Sequence, residues 1–338
     1  IVIYSTKGWV REAFDRTNEQ YGFTLRYLET RLHETTVALA EGADAVCIFV
    51  NDIADRAVLQ ALKEHGVRLV ALRSAGFNNV DLHAAAEFGI TVARVPAYSP
   101  YAVAEHAVAL ILALNRRLYR AYNRVRDNNF ALDGLLGFDI HGKTIGIIGT
   151  GKIGGIFADI MNGFGVTLLA YDKYPRDDLQ EKDVNYVSLE ELYSRSDIIS
   201  LHCPLNHETH YLINETSIGL MKDGVMLVNT SRGPLIESTA VIDGLKRGKI
   251  GSLALDVYEE EADLFFEDLS DQVIQDDTFV RFLTFPNVLI TAHQAFFTRE
   301  AVANISETTF ANVSEFGERN ACANCLDADT AYGGTTAS

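Results

Sequence analysis

The sequence predicts an α/β protein of two domains, each a doubly wound parallel sheet. Three observations carry this. The chain has 338 residues, more than one small core needs at about 100–200 residues per domain. Short apolar, β-rich runs alternate with segments of helical periodicity from beginning to end, the pattern of parallel β-α units. The alternation also falls into two series, separated by a long helical stretch and a polar segment.

In the first series, Ile1 to Ser5, Ala45 to Val50, Val67 to Leu72 and Ile90 to Val95 read as strands. Arg56 to His65 and Asp81 to Phe88 carry apolar residues at helical spacing. Ser99-Pro100 has the form of an N-cap followed by proline at the first helical position. The helix that it opens is expected to run to about Tyr122 and to cross between domains, with the polar stretch Arg124 to Asn129 after it. In the second series, Thr144 to Gly149 is almost wholly apolar, as a strand covered on both faces must be. Val166 to Tyr171, Ile198 to Leu201, Val225 to Asn229, Ser252 to Leu255 and Val288 to Thr291 follow. A last helix is expected from near Thr298, returning to the first domain. The expected division is 1–98 with 297–338 as one discontinuous domain and 99–296 as the other.

Composition narrows the function. Lys and Arg number 29 against 46 Asp and Glu, a formal net charge of −17. A chain that tracks phosphates displaces counterions with clustered positive charge, so neither nucleic acid nor an acidic membrane surface is an expected partner. Hydrophobic residues make up 48% and charged residues 22%, ordinary values for a folded soluble protein. No apolar run approaches the ~20 residues of a membrane-spanning helix. Four cysteines are too few for a disulfide framework. Cys47 reads as a small core residue, and the lone C-x-x-C of Cys322 and Cys325 as a coincidence of a polar tail. The chain opens at Ile1 rather than Met and no signal or transit peptide is visible, although one removed in processing would leave no trace; the expected compartment is the cytoplasm.

The segment Gly149-Thr150-Gly151-Lys152-Ile153-Gly154 fits G-x-G-x-x-G between a buried strand and an amphipathic helix bearing Ile153, Phe157, Ile160 and Phe164. In that context the glycines allow a tight turn, approach of backbone to a pyrophosphate, and close helix–strand packing. Free N–H groups and the positive helix end then favour the phosphates. Asp172 ends the next strand at the distance expected of an acid that binds the adenosine ribose. NAD is the expected cofactor, because Asp172 repels a 2′-phosphate. Lys173 and Arg176 lie just beyond and are read mainly as solvated charges, although they are placed to soften that preference.

Ligands of open α/β sheets bind at the carboxyl ends of the strands. Those ends hold Asp172, His202-Cys203-Pro204, Thr230-Ser231-Arg232-Gly233, Asp256 through Glu261, and His293. An Arg, two acids and a His beside a nicotinamide suit hydride transfer to a 2-keto acid. A guanidinium binds a carboxylate bidentately, and an imidazole with an ordinary pKa near 6.5 can give a proton to the keto oxygen.

Long ordered stretches resemble the D-2-hydroxyacid dehydrogenase family, in particular its fermentative, lactate-type members that use NAD. They are RSAGFNNVDL at 73–82, VPAYSPYAVAEHAVAL at 95–110, GKTIGIIGTGKIG at 142–154, SLHCPLNHETHYLIN at 200–214, VNTSRG at 228–233, DVYEEEADLFFED at 256–268 and TAHQAF at 291–296. The similarity runs from residue 1 to about 318; the tail from Ala321 to Ser338 lies outside it. The resemblance implies a Rossmann dinucleotide-binding domain inserted into a flavodoxin-like substrate domain. It makes Arg232 the substrate-binding arginine, Glu261 the carboxylate partner and His293 the acid/base. Gly149, Gly151, Lys152, Ile153, Gly154, Asp172, Cys203, Pro204, Thr230 and Ser231 are the expected cofactor contacts, with Asp256 approaching the nicotinamide amide. Ser74, Ala75 and Gly76 are similar to the backbone segment that meets the substrate carboxylate.

Phe296 and Tyr98 correspond to a bulky wall at the substrate side chain, which suits a methyl group and disfavours a phosphate. The long acidic-aromatic segment after Glu261 also differs from the short Pro-rich link of phosphoglycerate-type members. Pyruvate is the expected substrate, with larger 2-keto acids such as phenylpyruvate as the alternative. An NAD-sensing, co-repressor-like binding module is the reading from another class. A homodimer or homotetramer is expected from the family, with the helix from Pro100 at the interface. No metal is expected: the spacing of His202, His207 and His210 matches no zinc pattern. Glu105-His106 is read as helix packing or interdomain hydrogen bonding. Arg116, Arg117 and Arg120 are read as a solvated or subunit-contacting face.

Overall fold

The computed structural model describes residues 1–261 and 264–328. It divides into two compact units, one of residues 1–99 and 297–338 and the other of residues 100–296.

The first unit holds strands β1 (Val2–Ile3), β2 (Arg26–Tyr27), β3 (Ala45–Ile48), β4 (Leu69–Leu72) and β5 (Thr91–Ala93). All pair in parallel, in the order β2-β1-β3-β4-β5, the order of flavodoxin-like sheets. Helices α1 (Gly8–Tyr21), α2 (Arg56–Glu64) and α3 (Leu82–Phe88) connect them. Asp55 and Asp81 cap α2 and α3 by accepting from Val58 N and Ala84 N. β3 and β4 are buried along their whole length, which is why they read as unbroken apolar runs.

The second unit opens with α4 (Pro100–Asn115) and α5 (Leu118–Arg126). Its strands are β6 (Thr144–Ile148), β7 (Thr167–Tyr171), β8 (Val184–Tyr186), β9 (Ile198–Leu201), β10 (Val225–Asn229), β11 (Ile250–Leu255) and β12 (Val288–Ile290). Their order, β12-β11-β10-β9-β6-β7-β8, is the doubly wound Rossmann arrangement with one further edge strand. The strand order reverses at β6, where a dinucleotide crevice belongs. α6 (Lys152–Asn162), α7 (Asp177–Gln180), α8 (Leu189–Arg195), α9 (Glu215–Leu220), α10 (Ser238–Lys246) and α11 (Asp277–Leu283) cover the sheet. The chain then returns to the first unit as α12 (Arg299–Arg319), capped by Thr298 accepting from Ala301 N. Among the described residues no helix is long and apolar enough to cross a membrane.

The expected strands are all present, with ends within two residues of those read from sequence. Three features differ. α1 was not expected; its buried face holds Val10, Phe14 and Thr17, and Thr17 meets Ser306 of α12 through a 2.8 Å hydroxyl pair. β2 and β8 are short edge strands without an apolar run. The helix expected to reach Tyr122 breaks at Arg117, whose φ of +49° is left-handed, and α5 resumes through the stretch expected to be polar linker.

The tail is also ordered where it is described. Cys322 and Cys325 are joined in a disulfide, so the pair read as coincidental is bonded. Cys325 forms an antiparallel bridge with Ala93 of β5. Residues 329–338 lie outside the described residues.

Candidate active site

Each expected cofactor residue falls on the carboxyl side of the second sheet. Gly154 lies in the first turn of α6, directly under the glycine turn: a Cβ there would stand 2.0 Å from Gly149 O, so only hydrogen fits. Gly151, by contrast, faces open space and leaves room for a ligand against the amides of Lys152 and Ile153 at the helix start. Asp172 is already oriented. Its Oδ2 accepts from Thr150 N at 2.6 Å and from Thr150 Oγ1 at 3.1 Å, and its Oδ1 accepts from Tyr174 N at 2.9 Å.

A network missed in the sequence braces this corner. Tyr186 donates its hydroxyl to Thr150 Oγ1 at 2.8 Å and accepts from Arg176 N at 3.1 Å. The Arg176 guanidinium is gripped by Asp178, at 3.0 and 2.6 Å, and donates to the carbonyls of Thr150 and Gly151 at 3.2 and 3.3 Å. Lys173 pairs with Glu208 at 3.1 Å. Arg176 is therefore held in place rather than simply solvated, whereas Lys173 stays an exposed surface charge, as expected.

Further along the same rim, Ser231 Oγ donates to Cys203 O at 2.7 Å, tying the end of β10 to the end of β9. Thr230 Oγ1 is buried with no hydrogen-bond partner. A buried hydroxyl without a partner costs about 1–3 kcal/mol, and it marks a place for a ligand atom. Burial pushes the Cys203 thiol up to about 12, which leaves it a neutral, apolar wall. Burial pulls the His202 imidazole down to about 3, and its Nε2 sits 2.9 Å from Ser200 Oγ. His202 is thus a neutral support. Among the described residues no group of three or more His, Cys, Asp or Glu side chains is placed to hold a metal ion.

Glu261 and His293, the pair expected to serve acid/base chemistry, lie on the loops after β11 and β12. Glu261 Oε1 and His293 Nδ1 are 2.8 Å apart, and Glu261 Oε2 accepts from Tyr258 N at 2.9 Å. The carboxylate is thereby fixed on one side and the imidazole on the other. His293 has φ of +50°, a conformation that costs most L-residues about 1–2 kcal/mol.

Asp256 holds that turn in place. Its carbonyl accepts from His293 N at 2.7 Å. Its Oδ1 accepts from Thr291 Oγ1 at 2.5 Å and Gln294 N at 2.9 Å, and its Oδ2 accepts from Ala295 N at 2.9 Å. His106 Nε2 of α4 lies 3.1 Å from Thr291 Oγ1 and 3.4 Å from Asp256 Oδ1. Burial alone would raise the Asp256 carboxyl, but the hydrogen bonds from His106, Thr291 and Ala295 outweigh it and hold the group below the usual carboxylate range. His106 therefore bonds inside its own unit. Thr291, Tyr258 and the amides of residues 294 and 295 are members of the site that the sequence did not single out.

Arg232 stands between β10 and the short helical turn Gly233–Leu235, with Nη1 donating to Ser231 O at 2.7 Å. A Cβ on Gly233 would come within 2.0 Å of Tyr258 O. The arginine loop and the Tyr258–Glu261 loop are thus packed backbone to backbone. Phe296, the residue expected at the substrate side chain, is 7% exposed. In the first unit, Ser74 Oγ donates to Gly76 O at 2.8 Å, Arg94 Nη1 donates to Ala75 O at 3.1 Å, and Tyr98 O accepts from Asn304 Nδ2 at 2.6 Å.

A dinucleotide-type turn with an orphan hydroxyl beside it, and an imidazole clasped by a carboxylate on the neighbouring strand ends, define an NAD-dependent oxidoreductase. Comparison with known proteins agrees. Residues 108–295 match the NAD-binding domain of the D-isomer specific 2-hydroxyacid dehydrogenases. The chain is 55% identical over 326 residues to the D-lactate dehydrogenase of Escherichia coli (strain K12), covering 96% of this chain and 99% of that protein. The apo structure of the Escherichia coli enzyme superposes with a TM-score of 0.89 at 52% identity, over 96% of this chain and 99% of that one. A D-lactate dehydrogenase of Aquifex aeolicus in complex with NAD and lactic acid gives a TM-score of 0.82 at 36% identity, over 94% and 95%. The chain belongs to the D-isomer specific 2-hydroxyacid dehydrogenase family and binds NAD through residues 108–295.

Proposed function

We propose that this protein is an NAD-dependent D-lactate dehydrogenase that reduces pyruvate to D-lactate. The observation that carries the mechanism is the 2.8 Å Glu261–His293 bond. It occupies Nδ1, so the proton available to a substrate is the one on Nε2.

Gly149 through Gly154 receive the pyrophosphate, Asp172 the adenosine ribose, and Cys203, Pro204, Thr230 and Ser231 line the path toward the nicotinamide. The unpartnered Thr230 hydroxyl and the open face of Gly151 fit that assignment. Bound NADH supplies the hydride that reaches the keto carbon. Arg232 takes the substrate carboxylate as a bidentate partner and favours negative charge developing on the carbonyl oxygen. His293 delivers its Nε2 proton to that oxygen, and Glu261 stabilises the imidazolium and fixes the ring. Ser74, Ala75 and Gly76 meet the substrate carboxylate with backbone groups, while Tyr98 and Phe296 enclose the methyl group. Asp256 serves the nicotinamide amide through the turn that it holds, its carboxylate being inside.

The enzyme works as a homodimer or homotetramer. α5 has no buried residue, and Leu118, Tyr122, Val125, Phe130, Leu132 and Leu136 are all exposed, an apolar strip of the kind that subunits cover. Its compartment is the cytoplasm.

The test is the initial rate of NADH oxidation with pyruvate, phenylpyruvate, hydroxypyruvate and oxaloacetate, with NADPH in parallel and the lactate enantiomer determined. Fast, NADH-preferring reduction of pyruvate to the D-isomer is expected. Preference for phenylpyruvate would overturn the reading of Phe296 and Tyr98, and absence of turnover with every keto acid would overturn the enzyme.

A further inference from the structure

We propose that Cys322 and Cys325 are a thiol–disulfide exchange site, through which a dithiol reductant controls the hold of the carboxyl-terminal segment on β5 and the placement of the Ser74–Gly76 segment. The second half of this rests on the substrate role proposed above for Ser74, Ala75 and Gly76.

β5 is the last strand of its sheet, so its outer edge would leave backbone groups unpaired. The segment after α12 covers that edge. Leu326 N donates to Val92 O at 2.7 Å, and Arg94 N donates to Asn324 O at 3.1 Å, on either side of the Cys325–Ala93 bridge. The disulfide closes the turn that carries these groups, and Cys325 N donates to Cys322 O at 3.2 Å. Both sulfur-bearing residues pack, partly buried, against the cluster of Ala93, Val313 and Phe316.

The same few residues reach the substrate segment. Asn324 Nδ2 donates to Asn312 Oδ1 at 2.9 Å, and Asn312 Nδ2 donates to Arg94 O at 2.9 Å. Arg94 is therefore held at both its N–H and its carbonyl by the tail and the helix beneath it. Its guanidinium donates to Ala75 O at 3.1 Å, and its neighbour Val95 N donates to Ser74 O at 3.1 Å. The path from disulfide to substrate segment is thus two backbone contacts and one side chain long.

In the cytoplasm thiols are kept reduced, and disulfides found there are mostly transient or redox-sensing. The exchange is balanced with a dithiol as co-reactant. One reductant thiolate attacks a protein sulfur, breaking the Cys322–Cys325 bond and forming a mixed disulfide. The second reductant thiol then displaces the protein sulfur. Two electrons and two protons pass to the protein, and the reductant leaves as its disulfide. Cys47 and Cys203 do not interfere, since burial pushes both thiols up and keeps them protonated.

The full chain, oxidised or treated with dithiothreitol, is compared by thiol counting under denaturing conditions, amide hydrogen exchange and steady-state kinetics. Reduction is expected to expose two further thiols and to speed exchange at Arg94 and Leu326. It should raise the KM for pyruvate about fivefold, the equivalent of one hydrogen bond lost from the loop's support, with NADH binding unchanged. Cys322→Ser should reproduce the reduced behaviour and no longer respond to dithiothreitol. The appearance of two thiols with unchanged exchange would overturn the proposal, as would a chain that never forms the disulfide. Faster exchange with an unaltered KM would overturn the coupling to the substrate segment. A chain inactive on pyruvate in both states would instead overturn the substrate assignment, and the exchange measurement would still decide the redox hold.

Discussion

Glu261 and His293 share a 2.8 Å hydrogen bond although 32 residues separate them, and each is pinned from behind, Glu261 by Tyr258 N and His293 by Asp256 O. An imidazole fixed at Nδ1 in this way presents Nε2 in one orientation. Because His293 has a left-handed backbone, the informative substitution is His293→Asn, which tolerates that conformation. It should lower kcat for pyruvate reduction by about 10²–10⁴-fold, the usual share of general acid catalysis, with little loss of stability. Glu261→Gln keeps a hydrogen bond but removes the charge, and should cost about tenfold in kcat. Stopped-flow NADH oxidation checks both, and a near-normal rate in the Asn variant would remove His293 from the chemistry.

Arg232 makes a different demand. A single point charge in its place keeps the attraction for a carboxylate but loses the planar fork. Arg232→Lys should therefore raise the KM for pyruvate by about 10- to 100-fold, equivalent to one bidentate charge-assisted contact, while leaving NADH affinity near that of the parent. Fluorescence titration of NADH separates the two quantities. An unchanged KM would contradict the substrate-binding role.

The parts of the molecule legible in the sequence are those where one physical requirement acts on consecutive residues. Thr144–Ile148 and Ile198–Leu201 lie between helices on both faces, so nearly every position had to be apolar. The glycine turn was legible because hydrogen alone fits at Gly154. Arg232, Glu261 and His293 were found at strand ends, and the family resemblance gave them roles. What escaped detection depends on distant pairings. The buried face of α1 includes a threonine whose partner is Ser306, and the break at Arg117 is a single left-handed residue with no glycine to announce it. The Asp256 clasp uses backbone amides that have no sequence signature, and the disulfide acquires a place only when the tail meets β5.

Asp172 is the residue proposed to set the cofactor preference. Both its oxygens are already engaged, by Thr150 and by Tyr174 N, and its charge opposes a 2′-phosphate. Arg176, the nearby cation that would welcome one, is neutralised by Asp178 at 2.6 Å. Asp172→Ser should raise the KM for NADH and shift the NADPH-to-NADH ratio of kcat/KM upward by about 10- to 100-fold, the worth of one charged hydrogen-bonding partner. Adding Asp178→Ala should shift the ratio further in the same direction by freeing Arg176. Parallel assays with the two reduced cofactors read this directly, and an unaltered ratio in both variants would mean that selectivity resides elsewhere.

Asp256 ties acid stability to the active-site turn. Its carboxyl lies below the ordinary value in the folded chain, so the folded state holds the ionised form more tightly than the unfolded state does. The stabilisation is then fully present above the unfolded-state pKa of about 3.9 and is lost as the pH falls below it toward the folded value. Asp256→Asn replaces an acceptor by an amide whose NH₂ can be set against Ala295 N–H, a loss of about 1–3 kcal/mol for an unsatisfied buried group. Urea unfolding of parent and variant should therefore differ by a constant amount from pH 7 to about 4.5, and the difference should close only below about pH 4. Activity should fall with stability, since the same carboxylate holds the amides that follow His293. A difference that widens on acidification would reverse the sign of the linkage, and with it the assignment of Asp256 as the ionised clasp of the His293 turn.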